Sequence, residues 1–107
     1  MLNQTAKQSG AAIAAAVTTQ IVPDENAVSW SLKVNKDGGT VGTLTITAIS
    51  KCAATAETVY DSTGTAIVFN LATSTAQTYY FPNTPVDKVT ITPSGLDGTY
   101  KYSFAQW

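Results

Sequence analysis

Apolar and polar residues alternate along most of the chain after residue 27. In the segment 28–34, apolar residues at every second position are separated by Ser29, Ser31 and Lys33. The segment 43–48 repeats this pattern, with threonine at each polar position. A period of two is typical of a strand that buries one face, so both segments are predicted to be β-strands.

The same alternation returns in the second half of the chain. It predicts further strands at 58–60, 65–71, 77–81, 88–92 and 99–104. Turn-forming residues separate these segments, and no stretch predicts a convincing helix.

Specific turn residues predict how the strands are connected. Residues 35–39 (Asn-Lys-Asp-Gly-Gly) supply left-handed backbone positions and predict a hairpin loop. Residues 82–85 contain two prolines and are expected to stop a strand, because proline cannot donate to a ladder. Ile49 breaks the alternation, which predicts a bulge or a strand end there.

The first 24 residues differ from the rest because Ala and Gln dominate residues 1–16. The β-branched cluster that follows favours a strand at about 16–22. Ile13, Val17 and Ile21 are also spaced as on one face of a helix, so an extended or loosely helical arm is expected before the strand. The predicted division is an arm with the first strand over 1–24 and a β-sandwich domain over 25–107.

Together these segments predict an all-β fold. Seven or eight short strands favour an antiparallel two-sheet sandwich, Ig-like or jelly-roll-like, with an extended N-terminal arm. A small barrel is the alternative. Trp30 is expected at the centre of the core.

Composition narrows the function classes. Among 107 residues, 12% are charged, and the chain has no histidine and no arginine. Without histidine the usual general base near neutral pH is missing, so we expect no enzyme and no catalytic residue. Six lysines against seven acidic residues form no basic patch, so no nucleic acid is expected as a partner. No window approaches the roughly 20 apolar residues of a membrane span, so no membrane is expected either.

The acidic residues are expected to serve turns. Asp24, Asp37, Asp61 and Asp97 lie in predicted turns, where a short carboxylate caps the backbone; a catalytic carboxylate pair is the alternative. One cysteine and no Asp-x-Asp spacing predict no metal and no cofactor. Cys52 is expected to be a small core residue, because no histidine exists to activate it.

Threonine occupies the outward positions of several predicted strands, at 43, 45, 47, 90 and 92. Regular hydroxyl arrays occur on ice-binding faces, but those need stacked repeats, which this chain lacks. Threonine also simply suits exposed strand positions. Since charge normally keeps sheet edges apart, such sparsely charged faces are expected to contact a protein partner.

Aromatic residues supply a second candidate surface. Adjacent strand residues point to opposite faces, so either Tyr80 or the pair Tyr79 and Phe81 faces outward. An exposed tyrosine, or Trp107, can stack on a sugar or anchor a protein interface. Packing in the core with one exposed tyrosine is the alternative.

The Ala/Gln-rich start at Met1, the Thr/Ser/Ala-rich β-domain and the tail Tyr100–Trp107 together resemble small virion proteins of tailed bacteriophages, in particular capsid decoration, or cement, proteins. The resemblance implies a non-enzymatic structural protein that binds the outer surface of an assembled capsid and stabilises contacts between capsomers. The implied partners are the major capsid protein and further copies of the chain, commonly in a trimer. The implied location is the capsid surface of the virion, after synthesis in the host cytoplasm without a signal peptide.

The resemblance also assigns residues. Apolar residues of the first 24 would lie along the shell or a sister subunit: Leu2, Ile13, Val17 and Ile21. The alternative function is a phage tail, baseplate or head-fibre module, or a carbohydrate-binding β-domain. In that case Tyr79, Tyr80 and Trp107 would contact the ligand.

Overall fold

A computed structural model of the chain describes residues 17–51, 57–60 and 64–107, together with the backbone of residues 5–13. These residues form nine short β-strands and no helix. The strands are β1 (Thr5–Ile13), β2 (Thr19–Ile21), β3 (Trp30–Asp37), β4 (Thr43–Ser50), β5 (Glu57–Thr58), β6 (Val68–Asn70), β7 (Ala76–Phe81), β8 (Val86–Ser94) and β9 (Thr99–Gln106). The all-β prediction is confirmed.

The strands form two antiparallel sheets that pack face to face. Sheet A has the order β1-β9-β3-β7, and sheet B has the order β2-β8-β4-β5, with β6 also paired to β4. Within the described ranges both sheets are open, because β1 and β7 bound sheet A while β2 and the β5/β6 edge bound sheet B. The predicted two-sheet sandwich is therefore confirmed over the barrel alternative.

The N-terminal region contributes one strand to each sheet. β1 pairs with β9 from Thr5 opposite Gln106 to Ile13 opposite Tyr100, with two register shifts along the way. β2 is shorter than the predicted strand 16–22 and pairs with β8. The segment that was expected to form an arm thus includes an edge strand of sheet A.

The hairpin predicted at 35–39 is wrong. β3 belongs to sheet A and β4 to sheet B, so this segment leads from one sheet to the other. Gly38 does take a left-handed backbone, with φ of 81°. The turn chemistry was therefore read correctly, but alternation specifies which face of a strand is buried and not which sheet the next strand joins.

Two inter-sheet connections cross closely at one end of the sandwich. A Cβ atom on Gly42 would lie 2.7 Å from the Cα atom of Leu96, and one on Gly98 would lie 2.5 Å from the backbone nitrogen of Gly39. These distances leave no room for a side chain at either position. Glycine is thus required where the two connections touch.

Trp30 lies at the centre of the core, as predicted, and is 1% exposed. Its ring stacks on Phe81 with a centroid distance of 4.2 Å and contacts Phe104 at 5.8 Å. The indole Nε1–H donates a hydrogen bond to the Thr84 carbonyl at 2.9 Å, so the polar atom of this buried ring is satisfied. Each such fully buried apolar side chain stabilises the fold by roughly 1.5–3 kcal/mol.

The β4–β8 pair confirms the phase break at Ile49. The register runs without interruption from Thr43 opposite Ser94 to Ile49 opposite Lys88, and then shifts between Ile49 and Ser50. The bulge lies at the end of the alternating segment, where the sequence pattern indicated it.

Candidate functional site

The outer face of sheet B carries neutral side chains across three adjacent strands. We call this surface the threonine face and define it by the residues Thr43, Thr45, Thr47, Thr58, Val68, Thr90 and Thr92. Thr45 lies opposite Thr92, and Thr47 lies opposite Thr90. On the other side of β4, Thr47 lies opposite Thr58 and Thr45 opposite Val68.

Strand alternation produces this face. Leu44 and Ile46, which point inward from β4, are fully buried, whereas the threonines between them are partly exposed. Lys88, opposite Ile49, is the charged residue at one end of the face. Threonine presents a methyl group and a hydroxyl group, so this surface can pack against a protein and still make hydrogen bonds without desolvating a charge.

An aromatic pair lies on the outer face of sheet A. Tyr80 is 56% exposed, and its ring stacks on Trp107 with a centroid distance of 5.5 Å and an interplanar angle of 10°. The Trp107 backbone is fixed by reciprocal hydrogen bonds with Ser29, each at 3.0 Å. Because the two rings stack on each other, each covers part of the other's face; we call the pair the Tyr80–Trp107 platform, and its remaining ring surface can contact a sugar or a protein.

A groove follows the edge beside this pair. It has a volume of about 420 Å³ and lies between β7 and the residues Tyr60 and Ile67. Tyr79 lines the groove and packs against the core, and Tyr60 is 58% exposed. The alternation predicted for residues 79–81 is confirmed, since Tyr80 faces out while Phe81 is buried.

Of the four residues predicted as contacts in the first 24, the structure describes the side chains of Val17 and Ile21. Leu2 lies outside the described residues, and for Ile13 only the backbone pairing with Tyr100 is described. Val17 is 50% exposed. The prediction that Ile21 contacts a partner is wrong, because its side chain is 4% exposed and belongs to the core cluster, where no partner can reach it.

Two of the predicted turn carboxylates, Asp97 and Asp37, accept hydrogen bonds from residues distant in the sequence. Asp97 accepts hydrogen bonds from Thr40 N at 2.7 Å, Thr40 Oγ1 at 2.6 Å and Val41 N at 3.0 Å. These bonds lower the pKa of the Asp97 carboxyl from 3.8 to about 2, and the bond from the Thr40 hydroxyl contributes most. Asp37 accepts a hydrogen bond from Thr99 Oγ1 at 2.7 Å. Asp61 lies outside the described residues, as does Cys52.

Two features are absent from the described ranges. They contain no group of three or more His, Cys, Asp or Glu side chains placed to hold a metal ion. They also contain no helix with the length and apolarity needed to cross a bilayer.

Sequence reasoning missed two features of the edge. Tyr60 was placed at the end of a short predicted strand and was not singled out, although it is exposed and lines the groove. The free edge of β7 was also missed, since edge position follows from strand order. A signal for the latter exists in the composition of residues 76–81, which carry no charge and no proline.

Comparison with known proteins shows a similarity in fold to one solved structure. No protein-family model matches the chain, and no curated protein matches it. Among solved structures, the chain is similar to the crystal structure of the SPBc2 prophage-derived protein YomS, with a TM-score of 0.58 and 12% sequence identity. The match covers 97% of this chain and 92% of that one. At this identity the two proteins share a fold over nearly their whole lengths.

Proposed function

We propose that this chain is a structural protein of a tailed-phage virion that binds the outer surface of the assembled capsid and stabilises contacts between capsomers. The observation that carries the proposal is the threonine face, a neutral surface that spans β4, β8 and the β5/β6 edge. The likeness to a prophage-derived protein supports a phage setting.

The physical argument concerns the cost of desolvation. A partner that covers charged side chains must remove their water at a high cost in free energy, whereas methyl groups gain on burial and hydroxyl groups cost little once the partner offers them a hydrogen bond. The face is also rigid, because each of its central residues sits on a strand paired on both sides. A rigid surface loses little conformational entropy on binding, which suits permanent attachment to a lattice.

Binding to heads tests the proposal. The purified protein is mixed with assembled heads that lack it, prepared from the phage that encodes it. The bound fraction is then measured by co-sedimentation. The double variant Thr45→Lys/Thr90→Lys should bind at least about tenfold more weakly, because two ammonium groups would be buried without partners.

The matched control is Thr73→Lys, an exposed threonine in the turn before β7 and outside the threonine face. It should bind like the unchanged chain. Equal binding by the double variant and the control would contradict a role for the threonine face, and no binding by the unchanged chain would contradict attachment to the capsid.

The Tyr80–Trp107 platform favours a second candidate, a carbohydrate-binding module of a tail, baseplate or head fibre. The exposed Tyr80 ring, held by its stack on the half-buried Trp107, is suited to pack against the apolar face of a pyranose. On a glycan array, binding that is lost in Tyr80→Ala and in Trp107→Ala but kept in Thr45→Lys/Thr90→Lys would favour this function over capsid binding.

A further inference from the structure

Within the described residues, nothing pairs with the outer edge of β7. β7 pairs with β3 alone, and in the described part of the chain no second strand lies beside it. Its six residues carry no charge and no proline, and its register with β3 runs from Trp30 opposite Phe81 to Asn35 opposite Ala76 without a bulge. Proteins usually block such edges with lysine, proline or a bulge, because free backbone groups recruit another strand.

The backbone direction along β7 follows from the hydrogen bonds of its neighbour. Lys36 N donates to the Thr75 carbonyl at 3.0 Å, so Lys36 and every second residue before it direct their backbone groups towards β7. Their partners are Gln77, Tyr79 and Phe81. The residues between these partners direct their N–H and C=O groups away from β3, and they are Ala76, Thr78 and Tyr80.

We infer that two copies of this chain associate by antiparallel pairing of their β7 strands, which joins the two A sheets into one. A two-fold axis at Thr78 places Thr78 opposite its own copy and Ala76 opposite Tyr80 of the second chain. This register lets all three outward-directed residues exchange backbone hydrogen bonds. A shift by two residues in either direction leaves one of them unpaired on each chain.

Side chains fit the same register. On the outer face, the small Ala76 lies opposite the large Tyr80, and two threonines meet at the axis, so no large groups collide. Lys33, which lies opposite Thr78 on β3, is exposed. Its copy would lie three strand spacings away, about 14 Å, which is beyond the screening length of about 8 Å at physiological salt. Like charges therefore do not oppose the pairing.

The groove beside β7 provides space on the inner side of the new strand. Side chains of an added strand that point towards sheet B would enter the region bounded by Tyr60, Ile67 and Tyr79. In the Thr78-centred register these are Gln77 and Tyr79 of the second copy. The contact is symmetric, as an isologous dimer requires, because each chain offers the same strand and the same groove.

Sedimentation equilibrium tests the inference on the intact chain. The unchanged protein should have twice the monomer mass, and Thr78→Pro should be monomeric with cooperative unfolding retained. The Thr78 N–H points away from β3, so proline removes no hydrogen bond within the chain but blocks the free edge. Thr78→Lys should also be monomeric, because it places two like charges at the axis. Gln20→Lys, on the edge strand β2 of the other sheet, is the control and should remain dimeric.

Cross-linking tests the register separately. Residues of a hydrogen-bonded antiparallel pair have Cα atoms about 5.5 Å apart, which a disulfide spans. In a Cys52→Ser background, Thr78→Cys should form a covalent dimer on oxidation, whereas Gln20→Cys should not. A monomeric unchanged protein would overturn the inference. It would also be overturned by a dimer or trimer that survives Thr78→Pro and Thr78→Lys, or by a Thr78→Cys protein that does not cross-link.

Discussion

Tyr100 links the two sheets through its hydroxyl group. The side chain comes from β9 in sheet A and is fully buried, and its hydroxyl donates to the Val17 carbonyl at 2.9 Å. The same oxygen accepts a hydrogen bond at 2.7 Å from Thr19 Oγ1 on β2 in sheet B. Burial raises the pKa of the Tyr100 phenol above 10.0, and the hydrogen bond from Thr19 offsets part of that effect.

Removing this hydroxyl should destabilise the fold. Tyr100→Phe leaves the Val17 carbonyl and the Thr19 hydroxyl without their partner, which costs about 1–3 kcal/mol. Chemical denaturation should show this loss in the free energy of unfolding. Tyr80→Phe removes an exposed hydroxyl from the same residue type and should change the free energy by less than about 0.5 kcal/mol. Equal effects of the two changes would contradict the role given to Tyr100.

Asp97 makes the fold sensitive to acid. The pKa of its carboxyl is about 2 in the folded chain, below the ordinary 3.8, so its hydrogen bonds from the Thr40 hydroxyl and from the 40–41 backbone stabilise the fold above about pH 4. That stabilisation should be lost as pH falls from 4 to 2. Thermal unfolding over this range should show a smaller drop in Tm for Asp97→Asn than for the unchanged protein. Asp87→Asn, which alters a surface pair with Lys51 at 3.6 Å, is the control and should keep the drop.

At the scale of elements, alternation predicted strands well and their partners poorly. The pattern of 43–48 matches β4, and the phase break at Ile49 matches its register shift. The turn residues of 35–39 predict a hairpin, yet the strands on either side of this segment, β3 and β4, lie in different sheets. Pairing depends on contacts between distant segments, such as Trp30 with Phe81 and Gln106, which no local pattern encodes.

The inter-sheet crossing at Gly42 offers a test of this element. Gly42 has φ of 111° and a Cβ there would lie 2.7 Å from the Leu96 backbone, whereas Gly38 has φ of 81° and open space around it. In both alanine variants the free energy of unfolding should fall by about 1–2 kcal/mol, because alanine disfavours the left-handed backbone. In Gly42→Ala the free energy of unfolding should fall by roughly a further 1–3 kcal/mol, because the two connections must move apart to admit the methyl group. Equal losses in urea unfolding would contradict the close approach.

At the scale of the whole molecule, the sandwich separates three surfaces. The threonine face covers the outside of sheet B, the Tyr80–Trp107 platform lies on the outside of sheet A, and β7 forms one lateral edge of sheet A. The sequence predicts the low charge and the outward threonines, and it predicts that either Tyr80 or the pair Tyr79 and Phe81 faces outward. The stack of Tyr80 on Trp107 was not, because 27 positions separate them and only the β7-β3-β9 order brings them together.

The orientation of the chain on a capsid tests the central claim most directly. The measurement is a cryo-electron microscopy reconstruction of assembled heads incubated with the chain, at a resolution that distinguishes the two sheets. The proposal predicts ordered copies on the outer lattice with the threonine face of sheet B against the shell. Heads without bound density, or copies that contact the shell through Tyr80 and Trp107 while sheet B faces solvent, would contradict it.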